Sequence, residues 1–469
     1  MRVQKPREIA ARLLQQREGA ADYIENLLET RLPTLAPADR GLCQELVYGV
    51  VRWQRTLDWL VARKTGSRTQ TATLQILLRL GLYQMFWLER VPDHAAVNES
   101  VELARQLGCG PQSGFVNALL RGYARARNET RKMLQDLERS QPALGLSHPD
   151  WLCQRWERRW GPDRLRLLLE WNNTAPKTFA RLNTLRADAG RLLEQWRNEG
   201  VEYDFFRRDW LEENLVFELK SHPPLAGLPS FQQGLFYVQD PGTLLAVRLL
   251  DPRPGETILD ICAAPGGKTT CIAQRMENRG RVVACDLDGP RLRLLRENCT
   301  RLGVTCVETT VRGKRVGNLA GPLPRGGGKS EPTGRQYGQG SNPQATLVAV
   351  PSPWGEGQGE GKFARVLVDA PCSNTGVMRR RVDLRWRVRP EEIARLRCTQ
   401  LELLHDAALQ TKPGGVLVYS TCSLEPEENG EVVKEFLARN PDFQMETERE
   451  LLPFADGVDG TYVARLLKR

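Results

Sequence analysis

The chain has 469 residues, 41% of them hydrophobic, enough for about three domains and a sizeable core. It has no run of about 18 apolar residues, and no apolar core follows the opening Met1-Arg2-Val3-Gln4-Lys5-Pro6-Arg7, so neither a membrane span nor a signal peptide is expected, and a cytoplasmic location is. The net charge of +10, mostly arginine, suits a polyanionic partner such as RNA.

Residues 1–135 read as all-helical from Lys5 onward. Ile9, Leu13 and Leu14, then Ile24, Leu27, Leu28 and Leu32, recur at helical spacing. Asp39 precedes Leu42, Leu46, Val47 and Val50; Leu74 to Phe86 is a further apolar helix; Pro92-Asp93-His94 breaks the pattern before Asn98 to Leu107 resumes it. Residues 136–250 are mixed. "FARLNTLRAD" (179–188) and "LFYVQDPGT" (235–243) mark a small connecting α+β domain.

Over residues 251–469 the pattern becomes strand, helix, strand. Strands are expected at 256–262, 281–288, 304–311, 364–370 and 415–421, with helices at 268–278, 289–303, 390–411 and 426–439. This alternation predicts an open, mostly parallel α/β sheet, which binds ligands at the carboxyl ends of its strands. Residues 313–361 interrupt it. They hold 13 of the 41 glycines and the run "PSPWGEGQGEG", and read as a disordered surface insertion. Arginine clusters at 121–131, 155–166 and 379–389, with Trp and Tyr interleaved, fit either an RNA-facing surface or a solvated helical one.

Eleven cysteines in a reducing compartment are expected to be free thiols. None is spaced C-x2-C and the four histidines lie far apart, so no metal site is expected. Two cysteines close apolar strands: Cys372 in "ARVLVDAPCSNTG" and Cys422 in "LVYSTCSLEPEEN". A buried structural pair and a reactive pair both fit that placement.

"LDICAAPGGKTT" (259–270) is a strand, a Gly266-Gly267 turn and a helix start, where backbone can approach a ligand and free N–H groups face it. Asp286 ends the next strand, where a carboxylate can hold a ribose through its hydroxyls. Together they suit an adenosine-bearing ligand, a nucleotide or S-adenosylmethionine alike.

"DICAAPGGKTT", "DAPCSNTG" and "YSTCSLEPEENGEVV", in this order on such a sheet, resemble the RNA cytosine-C5 methyltransferases of the RsmB/Sun family, and the helical N-terminal region resembles the NusB-like RNA-binding domain of its bacterial RsmB type. The resemblance implies a Rossmann-like methyltransferase domain and S-adenosylmethionine as cofactor. It puts Cys262, Ala263, Ala264, Pro265, Gly266, Gly267 and Lys268 around that cofactor, Asp286 on its ribose, and Asp369 between cofactor and target base. It makes Cys422 the nucleophile and Cys372 the residue that assists product release. It further implies 16S rRNA as substrate, at the family's cytosine 967; no membrane or metal is expected, and the chain is read as a monomer. The same chemistry on tRNA is an alternative. An RNA-binding assembly factor with an impaired catalytic domain is another, because the family's aspartate after the third strand is missing: no Asp occurs between Asp288 and Asp369, and Glu308 is the nearest carboxylate.

Overall fold

The computed structural model describes residues 5–20, 22–311 and 363–469. The insertion expected at 313–361 lies outside the described residues.

The N-terminal region is helical: Pro6–Gly19, Ile24–Arg31, Pro37–Arg52, Gln54–Thr65, Ala72–Trp87, Asp93–Gln106, Ser113–Arg125 and Arg127–Ser140. Ala72–Trp87 is mostly apolar and takes the centre, burying Ile76, Leu77, Leu78, Leu80, Leu82 and Met85. Gly81 allows a close helix crossing, since a Cβ there would lie 2.6 Å from Leu120. A long helix, Asp150–Asn173, bent at Gly161-Pro162, leads into the rest of the chain.

The connecting unit is a four-stranded antiparallel sheet of β1 (Thr178–Leu182), β2 (Glu202–Phe205), β3 (Val216–Ser221) and β4 (Phe236–Val238), in the order β2-β3-β1-β4. The amphipathic helix Ala189–Glu199 covers it, with buried Trp196 edge-on to Phe217 and Phe236.

The large sheet comprises β5 (Thr257–Ile261), β6 (Arg281–Asp286), β7 (Val307–Val311), β8 (Phe363–Asp369), β9 (Thr411–Thr421), β10 (Phe443–Leu451) and β11 (Thr461–Lys468). Its order is β10-β11-β9-β8-β5-β6-β7, with β5 to β9 parallel and β10 and β11 antiparallel. The chain runs outward from β5 through β6 to β7, then returns to β8 on the other side of β5. That reversal opens a crevice between the carboxyl ends of β5 and β8.

Two differences from the sequence expectation have identifiable partners in the fold. The last expected helix starts at Gly430, not Pro426. Pro426–Glu428 is a 3-10 turn, and Asn429 (φ −115°, ψ −112°) interrupts it, because the Glu428 carbonyl is held by Tyr419 Oη at 2.6 Å. The arginines of 379–389 are largely inward. Asp383 is buried and accepts from Arg17 (2.7 Å), Arg387 (2.9 Å) and the Ile24 amide (3.1 Å). Arg385, also buried, donates to the carbonyls of Arg52, Ser147 and Asn172 and to Asn173 Oδ1. Trp386 Nε1 donates to Val51 O at 2.7 Å. This run clasps the helical region to the catalytic domain. Arg155 and Arg159 behave similarly, pairing with Glu425, Glu427 and Glu450.

Candidate active site

The turn after β5 forms one wall of the crevice. Cys262 takes φ 63° and Gly266 φ 105°, and the helix Gly267–Arg275 starts at once. A Cβ on Gly266 would lie 2.9 Å from Leu295, so the turn seats closely on the helix Gly289–Leu302. That helix braces it through Arg291 Nη2 to Ala264 O (2.5 Å) and Asn298 Nδ2 to Pro265 O (3.2 Å). Asp286 closes β6. Its Oδ2 accepts from Ala264 N and its Oδ1 from Asp288 N, both at 3.1 Å. Each oxygen keeps a second lone pair for a hydroxyl. Leu287 beside it is exposed, an apolar face that the sequence reading missed.

Across the crevice, Lys268 Nζ lies 2.7 Å from Asp369 Oδ2, and Ser420 Oγ donates to Asp369 Oδ1 at 2.8 Å. Burial pulls the Lys268 ammonium toward deprotonation, but Asp369, Cys422 and Asp260 outweigh it and hold the group above the ordinary lysine range. Asp260, fully buried in β5, is pushed up to about 7 by burial; Thr269 Oγ1 donates to it at 2.6 Å and Lys268 partly offsets the shift.

Strands β8 and β9 are adjacent with Asp369 opposite Ser420, so the segments leaving them run side by side. This register brings Cys372 Sγ to 3.4 Å from Cys422 Sγ. Cys422 is half-buried and donates to Asn374 Oδ1 at 3.0 Å; Cys372 is buried. The hydrogen bond to Cys422 and burial together push the Cys372 thiol well above the ordinary range. Asn374, at φ 59°, donates to Cys372 O at 2.7 Å.

Beneath them lies a carboxylate that the sequence reading passed over. Glu428 accepts from Ser373 N (2.8 Å), Ser373 Oγ, Ser423 Oγ (2.5 Å) and Gln400 Nε2 (3.1 Å). Burial raises its pKa, and the two serines partly counter this. Each strand-end cysteine is followed by a serine, and both serines converge on Glu428. The repeated Cys-Ser dipeptide was the available signal.

All eleven site residues singled out from the sequence lie at the carboxyl ends of β5, β6, β8 and β9 or in the segments that follow. Glu308 does not. It sits mid-strand in β7 on an exposed edge, paired with Arg281 at 2.6 Å. A lone pair on each Asp286 oxygen, the first-turn amides of a helix N-terminus and a glycine turn without side chains suit the ribose and carboxylate of an amino-acid-bearing nucleoside.

The fold and this crevice define an S-adenosylmethionine-dependent methyltransferase. The comparisons narrow the class. The model of the NusB family matches residues 4–125, that of the RsmF/B-like ferredoxin-like domain 148–218, and that of the 16S rRNA methyltransferase RsmB/F 247–317 and 351–467. The probable ribosomal RNA small subunit methyltransferase B of Bacillus subtilis is 33% identical, covering 99% of this chain and 98% of its own. Ribosomal RNA small subunit methyltransferase B of Escherichia coli is also 33% identical, with the same coverage. The crystal structure of PH0851 shares the fold over 99% of both chains, with a TM-score of 0.72 at 23% identity. A methyltransferase homolog protein from Pyrococcus horikoshii aligns with 72% of this chain and 99% of its own, with a TM-score of 0.52 at 26% identity. The chain belongs to the 16S rRNA methyltransferase RsmB/F family.

Proposed function

We propose that the protein methylates C5 of a cytosine in 16S rRNA, the family's cytosine 967, through a covalent bond between Cys422 Sγ and cytosine C6. The observation that carries this reading is the pair of thiols 3.4 Å apart, one half-exposed and one buried, beside the Lys268–Asp369 pair. The relatives named for the small ribosomal subunit support the substrate.

Cytosine C5 is too weak a nucleophile to accept a methyl group unaided. Addition of the Cys422 thiolate to C6 makes C5 enamine-like, splitting one hard step into two easier ones. Asp369 accepts from the exocyclic amine, and Lys268 beside it offsets electron density gathering at N3. Bound S-adenosylmethionine supplies the electrophilic methyl group. Asp286 holds its ribose hydroxyls, Leu287 its adenine face, and the Cys262–Lys268 turn its amino-acid end. Loss of the C5 proton to solvent water and departure of the Cys422 thiolate then restore the aromatic ring, and Cys372, held as a thiol, assists that departure by donating to the leaving sulfur. The target base must first leave its stack.

The test is methyl transfer from labelled cofactor to naked 16S rRNA and to tRNA, with nucleoside analysis of the product. Labelled 5-methylcytosine from 16S rRNA is expected. Label on tRNA alone would move the substrate, and no transfer to either RNA would favour an assembly role.

A further inference from the structure

A second concavity, of about 480 Å³, lies away from the crevice, between the connecting sheet and the catalytic domain. It is lined by Trp171, Lys177, Phe205, Phe206, Arg207 and Arg208. Its volume falls within the ordinary range for small-ligand sites. Phe205, at the end of edge strand β2, is 43% exposed, unusual for so large an apolar side chain with no chain segment over it. The Arg207 guanidinium lies 5.5 Å from the Phe205 ring, that of Arg208 4.4 Å from Phe206, and that of Arg379 4.0 Å from Trp171. Trp171 Nε1 is shielded and has no hydrogen-bond partner.

The charge is one-sided. Among the described residues neither Arg207 nor Arg208 pairs with a carboxylate; Arg208 donates only to the carbonyls of Arg207 and Asp456. The acidic residue in the lining, Glu218, is already neutralised by Lys177 at 3.0 Å and Lys220 at 2.6 Å. A chain of contacts links the rim of the pocket to the reactive loop. Lys177 O accepts from Arg380, and Arg380 pairs with Asp459. The neighbouring Gly460 donates to Gly376 O, and Gly376 donates to Cys422 O, both at 2.9 Å.

We propose that this pocket holds an unstacked nucleotide of single-stranded RNA flanking the target cytosine. The base stacks on Phe205 and Trp171, and the neighbouring phosphates lie on Arg207 and Arg208. The inference rests on the RNA reading above. An exposed aromatic ring beside arginines without a carboxylate partner is what sequence-tolerant stacking on a charged backbone requires.

The experiment uses the full chain and three probes: 16S rRNA transcript, single-stranded oligouridylate and a duplex RNA of equal length. Arg207→Ala/Arg208→Ala should raise KM for the transcript and weaken oligouridylate binding by about tenfold. It should also flatten the slope of log affinity against log salt by about 1.4, at about 0.7 per single-strand phosphate contact. Phe205→Ala should weaken oligouridylate binding by about tenfold without changing that slope. Phe205→Trp should stay within about twofold of wild type. S-adenosylmethionine affinity, unchanged throughout, reports that the variants are folded; should Phe205→Ala misfold, the exposed arginine pair carries the test. Unchanged oligouridylate affinity in both variants of an enzyme that still methylates rRNA overturns the pocket and leaves the catalytic reading intact. An equal loss on the duplex also overturns it, since a stacked base is then not what is read. A wild type that neither binds nor methylates RNA overturns both readings.

Discussion

Cys372 Sγ lies 3.4 Å from Cys422 Sγ, and the two thiols differ in kind. Cys372 is buried and strongly held as the thiol, whereas Cys422 reaches the crevice. If Cys422 attacks and Cys372 assists release, Cys422→Ala stops methylation while RNA binding persists. Cys372→Ala keeps attack and methyl transfer but slows elimination. A covalent protein–RNA complex then accumulates, survives denaturing electrophoresis, requires S-adenosylmethionine and vanishes in the double variant. Trapping by Cys422→Ala instead would reverse the two roles. Two merely structural thiols would give two proteins weakened by about 1–3 kcal/mol, with no trapped RNA.

The loop that carries these cysteines leaves no room for a methyl group at one position. A Cβ on Gly376 would fall 2.5 Å from Gly460 O and 2.8 Å from Cys422 O. Gly376→Ala must displace the Gly460 or Cys422 backbone or the Gly376 turn between them, and an error of about 1 Å near the chemistry costs on the order of a hundredfold in rate. The expected result is a kcat loss of that size with S-adenosylmethionine affinity retained. Full activity in this variant would show that Cys422 does not depend on the packed Gly376–Gly460 contact.

Asp260 gives a pH signature. Its carboxyl is pushed up to about 7 in the folded chain by burial, while the unfolded chain ionises near the ordinary value of about 3.9. The folded state therefore binds the proton more tightly. The contribution of Asp260 to stability is greatest below about pH 4, falls as pH rises toward 7, and is level above that. Asp260→Asn is neutral at every pH. Its stability relative to wild type should rise between pH 4 and 7 and then plateau. Denaturant midpoints across that range check it, and a flat difference would refute the shift.

Asp383 joins the two ends of the molecule by accepting from Arg17, Arg387 and the Ile24 amide. Asp383→Ala removes the acceptor of the buried Ile24 amide and the carboxylate partner of Arg17 and Arg387. Arg17 keeps Gln54, and Arg387 keeps the carbonyls of Ala20 and Asp22, so the loss is about 3 kcal/mol. Calorimetry should show the helical region melting before the catalytic domain, where wild type melts as one unit. A single unchanged transition would mean that the clasp contributes little.

The family model passes over residues 318–350. A chain lacking them, joined by a short Gly/Ser link, is expected to bind S-adenosylmethionine and methylate RNA within about twofold of wild type. Loss of activity in a folded deletion variant would show that this segment takes part in function.

The α/β alternation from β5 onward, the glycine turn after β5 and the two strand-end cysteines were legible in the sequence because each depends on neighbours a few residues away. Periodicity decides strand or helix, and turn chemistry decides where a strand stops. The same local logic missed β10, whose "FQMETEREL" is a largely solvent-facing edge strand with few apolar positions. Other features depend on partners brought in from far along the chain, and only the tertiary structure decided them. Ser373 and Ser423 meet on Glu428 because β8 and β9 are adjacent in the sheet. Lys268 meets Asp369 because the strand order reverses at β5. The arginines of 379–389 read as an exposed surface, RNA-facing or merely solvated, yet Arg385 is buried on carbonyls of Arg52, Ser147 and Asn172, more than 200 residues away. A sequence shows that a charge is present; what neutralises it depends on which distant segment packs against it.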